Sequence, residues 1–431
     1  MRDDRPTASA PATSPARTPA AASPSRRAAG SRARGKRRRA GQLATLAAIF
    51  TLSAAPAAMT WLNAKPELQT RLHQQLSDVP GYSEIAETYA HANTPVEELR
   101  KMAELPTTWD GKWHAVDKNY ARFEHWFADN LGMRSLMIRT KNELDYQLFG
   151  SSSRVYFGHN GELYSRRQTD VELPATEFVL ATPAQRKEVV EGLANYARKL
   201  KEQGVTMVLV PPPSKHYFTG ERLPWFAPRL PQPSSFMQFY GELVKTKELN
   251  TIDVNAIQRA HEKEFPIYFR EDFHWTDVTA MTVAAATVER IAQLEGSPLR
   301  WKHERKFEYR PFVGVESRFA SRLQAREGTL EPQLVKTWEE RERRQKDPAT
   351  TSLEFDTAPA NDASLLPSTC LYGNSFSDGM LRAGLPEHFQ QFTKISRNVT
   401  LPALPALAQS SHCKYLIVQV LDTQTGVWLL R

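Results

Sequence analysis

Residues 369–377, TCLYGNSFS, decide the fold of this chain because they predict a strand, a tight turn and the start of a helix in one short run. The apolar residues at 369–372 are typical of a buried strand, and Gly373 allows the sharp corner that follows. Ser375 then stands beyond the carboxyl end of a strand, which is where ligands bind in open α/β sheets. The stretch therefore predicts an α/β fold with an exposed serine nucleophile on a strand–turn–helix corner.

Strands and helices are predicted to alternate around this stretch. Apolar runs at 205–210, 392–395 and 415–420 have the composition of buried parallel strands, and amphipathic helical patterns at 183–203 and 277–293 separate them. This alternation is typical of a doubly wound α/β domain with a mainly parallel sheet. A hairpin with Asn-Gly in its turn is predicted over residues 155–164.

The chain is predicted to have four parts: a basic tail (1–39), an apolar segment (40–64), a connector with some helix (65–115) and a catalytic domain (116–431). About 300 residues are enough to bury one large core. Within the last part, residues 300–365 are charged and irregular in pattern. We interpret them as an insertion with hairpins and mobile loops.

The positive charge of this protein is concentrated in the tail. The whole chain has a net charge of +8, while residues 1–39 contain eleven Arg and Lys and two Asp, so that the tail carries +9 and the rest −1. A balanced body argues against a nucleic-acid-binding domain. The tail is rich in Ala, Pro, Ser and Arg and is expected to be disordered, because it has too few large apolar side chains to bury.

Residues 40–64 contain no charged side chain until Lys65, and about 20 apolar residues suffice to span a bilayer as a helix. The cations before this segment predict a cytoplasmic tail and a periplasmic body, held at the inner membrane by a single-pass anchor. A cleaved signal peptide ending near residues 55–57 and a merely buried helix remain as alternatives.

A second motif, Asp272-Phe273-His274-Trp275-Thr276, places a carboxylate and an imidazole two residues apart just before a predicted helix. With Ser375 these residues provide the orienter, the base and the nucleophile of serine acyl transfer. The competing interpretation is a structural Asp-x-His that caps the helix. Trp275 is expected to be a core aromatic, and Thr276 to be the helix cap.

The two motifs together resemble those of the alginate O-acetyltransferase family of SGNH-hydrolase-like proteins (AlgJ and AlgX type). Further similarity lies in Asn130-x-Gly132-x-Arg134, in the segment 158–163 and in the strand, prolines and Ser-Lys-His of 208–216. The resemblance covers about residues 115–431. It implies an SGNH-like fold in which the Asp-His motif precedes the serine motif, the reverse of the order in ordinary SGNH hydrolases.

The resemblance also implies a function. Ser375 would accept an acetyl group and pass it to a hydroxyl of an exported bacterial polysaccharide, which could be alginate, cellulose or another exopolysaccharide. A multipass membrane acyltransferase would supply the acetyl group, because acetyl-CoA is not available outside the cytoplasm. A carbohydrate acetylesterase and a non-catalytic subunit of a secretion complex are the alternatives. We expect no bound cofactor, since no Gly-rich nucleotide loop of specific spacing is present.

Four further residues are candidates for binding the oxyanion or the substrate. Gly373 and Asn374 flank the nucleophile, Lys215 follows a strand end, and Arg397 lies just beyond another strand end. A solvated loop is the alternative for Lys215.

The positions of cysteine and histidine bear on metal and disulfide sites. No Cys/His cluster has the spacing of a structural zinc site. The two cysteines, Cys370 and Cys413, are on predicted buried strands. We predict free thiols there, although an exported compartment would permit a disulfide.

Overall fold

The computed structural model describes residues 25–63, 65–93, 96, 102–104, 116–323, 328–347, 349–355 and 364–430. These residues belong to two compact units, one within Met1–Ile85 and Lys101–Arg134 and the other within Ala86–Arg100 and Ser135–Arg431. All the strands and all the candidate site residues belong to the second unit.

The helices and strands have the following bounds. The α-helices are α1 (Ser25–Asn63), α2 (Pro66–Leu76), α3 (Tyr82–Ala92), α4 (Val116–Asn130), α5 (Arg134–Phe149), α6 (Leu173–Val179), α7 (Pro183–Glu202), α8 (His216–Thr219), α9 (Ser235–Lys245), α10 (Val254–His261), α11 (Asp277–Glu295), α12 (Val315–Ala320), α13 (Ser375–Arg382), α14 (Leu404–Ser410) and α15 (Thr425–Trp428). The strands are β1 (Val155–Phe157), β2 (Leu163–Ser165), β3 (Thr206–Val210), β4 (Phe307–Phe312), β5 (Thr329–Leu334), β6 (Arg343–Arg344), β7 (Thr351–Phe355), β8 (Thr369–Tyr372), β9 (Phe392–Ile395) and β10 (Tyr415–Gln419).

The N-terminal helix α1 contains an apolar stretch, Gln42–Asn63, that is long and apolar enough to cross a membrane by length and composition, a test that signal sequences and buried helices also pass. The helix begins at Ser25, so residues 25–39, which we expected to be disordered, are helical in this structure. Ala and Arg, which dominate this stretch, are among the best helix formers. The rest of the predicted tail lies outside the described residues.

The main sheet of the described residues has six strands in the order β3-β10-β8-β9-β7-β6. The first four are parallel, but β7 pairs with β9 and β6 pairs with β7 in antiparallel register. The sheet is therefore mixed, and the prediction of a mainly parallel sheet needs correction at this edge. Both antiparallel strands come from the segment 300–365, whose charged residues suit an exposed sheet edge.

Both faces of the main sheet are covered by apolar side chains. Alternate residues of β3 and β10 point to opposite sides, so Val208 and Ile417 join one core cluster while Met207 and Leu416 join the other. Helix α11 contributes to the first cluster, and helices α7 and α9 contribute to the second. The apolar run predicted as a buried strand at 205–210 is confirmed as β3.

Within the part of the chain that the structure describes, two antiparallel pairs lie outside the main sheet. Strands β1 and β2 pair from Val155↔Ser165 to Phe157↔Leu163, which confirms the predicted hairpin. In its turn, Asn160 has a positive φ of 59°, a conformation that Asn tolerates better than most residues. Strands β4 and β5 pair within the segment 300–365, and the short helix α12 lies between them in the chain.

The prediction of free thiols is wrong, because Cys370 and Cys413 form a disulfide with a Cα–Cα distance of 5.6 Å. Cys370 is on β8, and Cys413 comes two residues before β10. These two strands are parallel neighbours in the sheet, so their side chains on one face come within the range that a disulfide requires. Strand adjacency is a tertiary property, which the spacing of the cysteines in the sequence does not reveal.

Candidate active site

The nucleophile candidate Ser375 is the first residue of α13 and follows β8 after a two-residue turn. The turn is stabilised by Asn374, whose Oδ1 accepts a hydrogen bond from the Phe376 N–H at 2.9 Å. An N-cap of this kind starts the helix at Ser375. The serine lies just beyond the carboxyl end of a parallel strand, and its side chain is partly exposed.

His274 joins the two sequence motifs. Its Nε2 lies 2.6 Å from Ser375 Oγ, and its Nδ1 lies 2.6 Å from Asp272 Oδ1. A proton on Nδ1 is donated to the carboxylate, which leaves Nε2 free to accept the serine O–H. The rings of Phe273 and Phe376 both contact the imidazole, at centroid distances of 4.0 and 5.0 Å. The three residues that the sequence singled out thus form a continuous hydrogen-bonded series, with His274 in the middle.

The carboxylate of Asp272 is buried and well supplied with donors. Oδ1 also accepts the backbone N–H of His274 at 2.9 Å, and Oδ2 accepts the N–H of Val315 at 3.0 Å. Burial by itself would raise the pKa of Asp272, but the hydrogen bonds and charge of His274, with the Val315 N–H, outweigh it and lower the pKa. Asp272 is therefore an anion at neutral pH, as an imidazole orienter must be.

The loop that carries Asp272 and His274 runs directly into α11. Thr276 caps this helix, with its side chain accepting from the Thr279 N–H, as predicted. Trp275 is buried, as expected of a core aromatic, and its indole N–H also donates to the carbonyl of Phe376 at 3.0 Å. This bond connects the loop to the nucleophile helix and fixes the distance between base and serine.

The turn before Ser375 is packed closely around Gly373, so that a larger residue there would displace neighbouring side chains. A Cβ placed there would lie 2.8 Å from Gln419 Oε1 and 2.9 Å from Ser377 Oγ. The same Gln419 oxygen accepts the Asn374 N–H at 3.1 Å, and the Asn374 side-chain amide donates to Gln424 at 2.9 Å. The polar groups of Asn374 thus serve the turn itself, and its predicted contact with substrate stays a prediction.

Lys394 was not predicted, and it lies directly behind the turn. Its buried ammonium donates to the Gly373 carbonyl at 3.1 Å and to the Ser377 hydroxyl, and Asp378 Oδ1 lies 3.9 Å away. Burial lowers the pKa of Lys394 to about 8. The signal in the sequence was a lysine inside the apolar strand β9, since Lys is almost never fully buried without partners.

Lys215 has a different environment from the one expected. It is only 1 % exposed, forms an ion pair with Glu162 at 2.6 Å, and donates to the carbonyls of Phe269 at 2.8 Å and Leu163 at 3.1 Å. Its ammonium thus holds together the hairpin β1–β2 and the chain just before Asp272. Lys215 therefore has a structural role. Its burial fits neither the predicted contact with substrate nor the alternative of a solvated loop.

Arg397 is exposed just after the end of β9, where it was expected. Its predicted contact with substrate stays a prediction. Among the described residues, no three His, Cys, Asp or Glu side chains are grouped as they would be around a metal ion.

Comparisons with known proteins identify relatives of this chain. A family model described as "SGNH hydrolase-like domain, acetyltransferase AlgX" matches residues 155–417. A probable alginate O-acetylase AlgJ of Pseudomonas syringae pv. tomato is 24 % identical over 196 residues, 44 % of this chain and 46 % of the relative. A protein of the same description from Pseudomonas fluorescens is 25 % identical over 203 residues, 46 % of this chain and 48 % of the relative. The chain thus spans about half the length of the curated relatives it matches.

Similarity extends to solved structures. The O-acetyltransferase domain of Pseudomonas putida AlgJ aligns with a TM-score of 0.42 and 15 % sequence identity, over 64 % of this chain and 92 % of that domain.

Proposed function

Because this chain belongs to the family of SGNH hydrolase-like domains of the AlgX acetyltransferase type, we propose that it is a serine-dependent O-acetyltransferase acting on an exported polysaccharide. The observation that carries the proposal is the hydrogen-bonded series Asp272–His274–Ser375, with both contacts of the imidazole at 2.6 Å. Asp272 and His274 precede Ser375 in the chain, which we interpret as the permuted order of this family.

In the first half of the proposed reaction, His274 Nε2 takes the proton of Ser375 as Oγ attacks the carbonyl carbon of the acetyl donor. Asp272 stabilises the imidazolium that forms. The oxyanion develops at the N-terminus of α13, where the helix dipole favours negative charge. Collapse of the tetrahedral intermediate expels the donor's leaving group, which takes the proton from His274, and leaves acetyl-Ser375.

In the second half, a sugar hydroxyl attacks the acetyl carbon while His274 takes its proton. The ester bond to Oγ then breaks, and Ser375 regains a proton from His274. If water takes the place of the sugar hydroxyl, the same residues release acetate. The acceptor therefore distinguishes a transferase from a carbohydrate acetylesterase, and the family relationship supports transfer.

The test is turnover of a chromogenic acetyl ester by the full-length protein and by Ser375→Ala, with Ser410→Ala as an exposed-serine control. We expect Ser375→Ala to abolish turnover and to eliminate the acetyl adduct on the peptide containing residue 375, detected by mass spectrometry. Wild-type turnover in Ser375→Ala would refute the proposal. With an oligosaccharide added, acetylated sugar indicates a transferase, whereas free acetate alone indicates an esterase.

The proposed setting is the periplasmic side of the inner membrane, with α1 as a single-pass anchor and a multipass membrane acyltransferase as acetyl donor. It rests on the apolar stretch Gln42–Asn63 and on the cationic residues before it. An alkaline phosphatase fused after Arg431 should be active, and a reporter that works only in the cytoplasm should be silent. Cells lacking the membrane partner should acetylate little polysaccharide.

A further inference from the structure

The segment 314–316 packs against the loop that carries Asp272 and His274. Gly314 approaches so closely that a Cβ there would lie 1.7 Å from the carbonyl oxygen of Glu271. Val315 donates its N–H to Asp272 Oδ2 at 3.0 Å, and Glu316 Oε2 accepts the N–H of Phe273 at 2.8 Å. Two consecutive residues of the insertion thus bind two consecutive residues of the loop.

Glu316 is completely buried, next to a carboxylate that is itself ionised. Its Oε1 is also buried and has no hydrogen-bond partner among the described residues. A buried anionic oxygen without a donor is far more costly than a buried carboxylic O–H. Since Oε2 accepts from Phe273, the proton belongs on Oε1.

The balance of effects on Glu316 favours the same form. Burial and the Asp272 charge raise the pKa of Glu316 to about 8, against the opposing effects of the Lys215 charge and of hydrogen bonds from the backbone N–H groups of Glu316 and Phe273. The Lys215 ammonium is committed to Glu162 and to backbone carbonyls. On the same loop, burial also raises the pKa of Glu271, whose side chain is hydrogen-bonded to Ser317. Beyond it, Arg270 and Glu331 form an ion pair at 3.2 Å.

We propose that Glu316 is a positioning residue that holds the Asp272–His274 loop in its hydrogen-bonded geometry through a neutral carboxyl group. The inference rests on the proposed function, because it concerns the base of that reaction. While Glu316 keeps its proton, it anchors Phe273 without placing a second negative charge beside Asp272. When the proton is lost at alkaline pH, two carboxylates repel each other across the loop, and the imidazole loses its alignment with Ser375.

Glu316→Gln is the decisive variant because the amide is nearly isosteric with the neutral carboxyl group and keeps an oxygen acceptor for Phe273. We expect ester turnover within about twofold of wild type at pH 7. The ratio of Glu316→Gln turnover to wild-type turnover should rise severalfold between pH 7 and 9.5, because only the wild type gains the repelling charge. Glu316→Ala lacks the acceptor for the Phe273 N–H, so its ester turnover should be at least about tenfold below wild type at all pH values.

A second measurement does not involve catalysis. A carboxyl group with a raised folded-state pKa takes up a proton on folding, so the free energy of unfolding falls as pH rises from the unfolded value of about 4.3 to about 8. Glu316→Gln should flatten this slope. Glu387→Gln is the matched control for activity. Burial also raises the pKa of Glu387, but its carboxylate accepts a hydrogen bond from the Arg341 backbone N–H and does not contact the loop.

A flat activity ratio across the pH range, or a Glu316→Gln protein as impaired as Glu316→Ala, would overturn the inference. Ser375→Ala, assayed alongside, separates the two possible failures. If Ser375→Ala is inactive and the ratio is flat, only the role of Glu316 is wrong. If Ser375→Ala retains turnover, the proposed function itself fails.

Discussion

The loop with Asp272 and His274 and the turn with Ser375 are held in different ways. The turn is supported by strands next to β8 in the sheet, through Lys394 on β9 and Gln419 at the end of β10. The loop is supported by Val315 and Glu316 of the segment 300–365, besides the Trp275–Phe376 hydrogen bond. The nucleophile therefore depends on the strands of the main sheet, whereas the base depends in part on the segment 300–365.

The segment 300–365 thus contributes contacts to the site. The segment 300–365 has the charged, irregular composition of a solvated loop region, yet its residue Glu316 is completely buried. A dispensable segment would tolerate substitution at Gly314 and Glu316. Substitutions in the loop and in the turn should therefore differ in their effects on turnover.

The largest effect is expected at the base itself. His274→Ala should reduce ester turnover by about 10⁴-fold, similar to Ser375→Ala, because nucleophile and base act as a unit. Asp272→Asn should cost somewhat less, since the orienter is the most dispensable member. Steady-state kinetics with folded variants, verified by circular dichroism, measures both. Substantial turnover by His274→Ala would show that His274 is not the base of the reaction.

A pair of glycine variants compares the two regions directly. The Cβ of Gly314→Ala would meet backbone atoms of Glu271, which cannot move without displacing Asp272, so a loss of about 10²-fold is expected. The Cβ of Gly373→Ala meets the side chains of Gln419 and Ser377, which have more freedom. A smaller loss, about tenfold, is expected there. The reverse order of activities would contradict the comparison.

Lys394→Met tests the support of the turn. The variant should lower kcat roughly tenfold at pH 7 and leave KM for a small ester unchanged, because the lysine holds the turn without touching substrate. Burial lowers the pKa of Lys394 to about 8, so the wild type loses this cation as pH rises above that value. The ratio of wild-type kcat to variant kcat should therefore fall at alkaline pH. A ratio that stays constant with pH would mean that the charge of Lys394 has no role.

The smallest effect on activity is expected from removal of the disulfide. Cys370 and Cys413 are 43 residues apart in sequence, and loop-closure entropy gives a stabilisation of about 4 kcal/mol for such a loop. Cys370→Ser with Cys413→Ser should lower the denaturant midpoint while turnover below the transition stays near wild type. A large loss of turnover in the folded double variant would show that the two strands position Ser375 more directly than the contacts suggest.

Local patterns were sufficient for much of the fold. The apolar run of β3, the Asn-Gly hairpin and the Thr276 cap each depend on residues close in sequence, and each was correctly predicted. The mixed sheet edge was not predictable in this way. Strands β6 and β7 pair antiparallel because the segment 300–365 folds back onto β9, and their short sequences carry no period that separates a strand from a loop.

The sequence alone identified Asp272, His274 and Ser375 as the candidate site, because the chemistry of these residue types and the strand–turn–helix pattern are local properties. Tertiary structure decided everything that depends on which distant segments meet. It placed Lys394 behind the turn, Glu316 beside Asp272 and Lys215 in a buried ion pair, and it joined Cys370 to Cys413. Buried charges and disulfides are set by partners across the fold, and no spacing along a single chain encodes those partners.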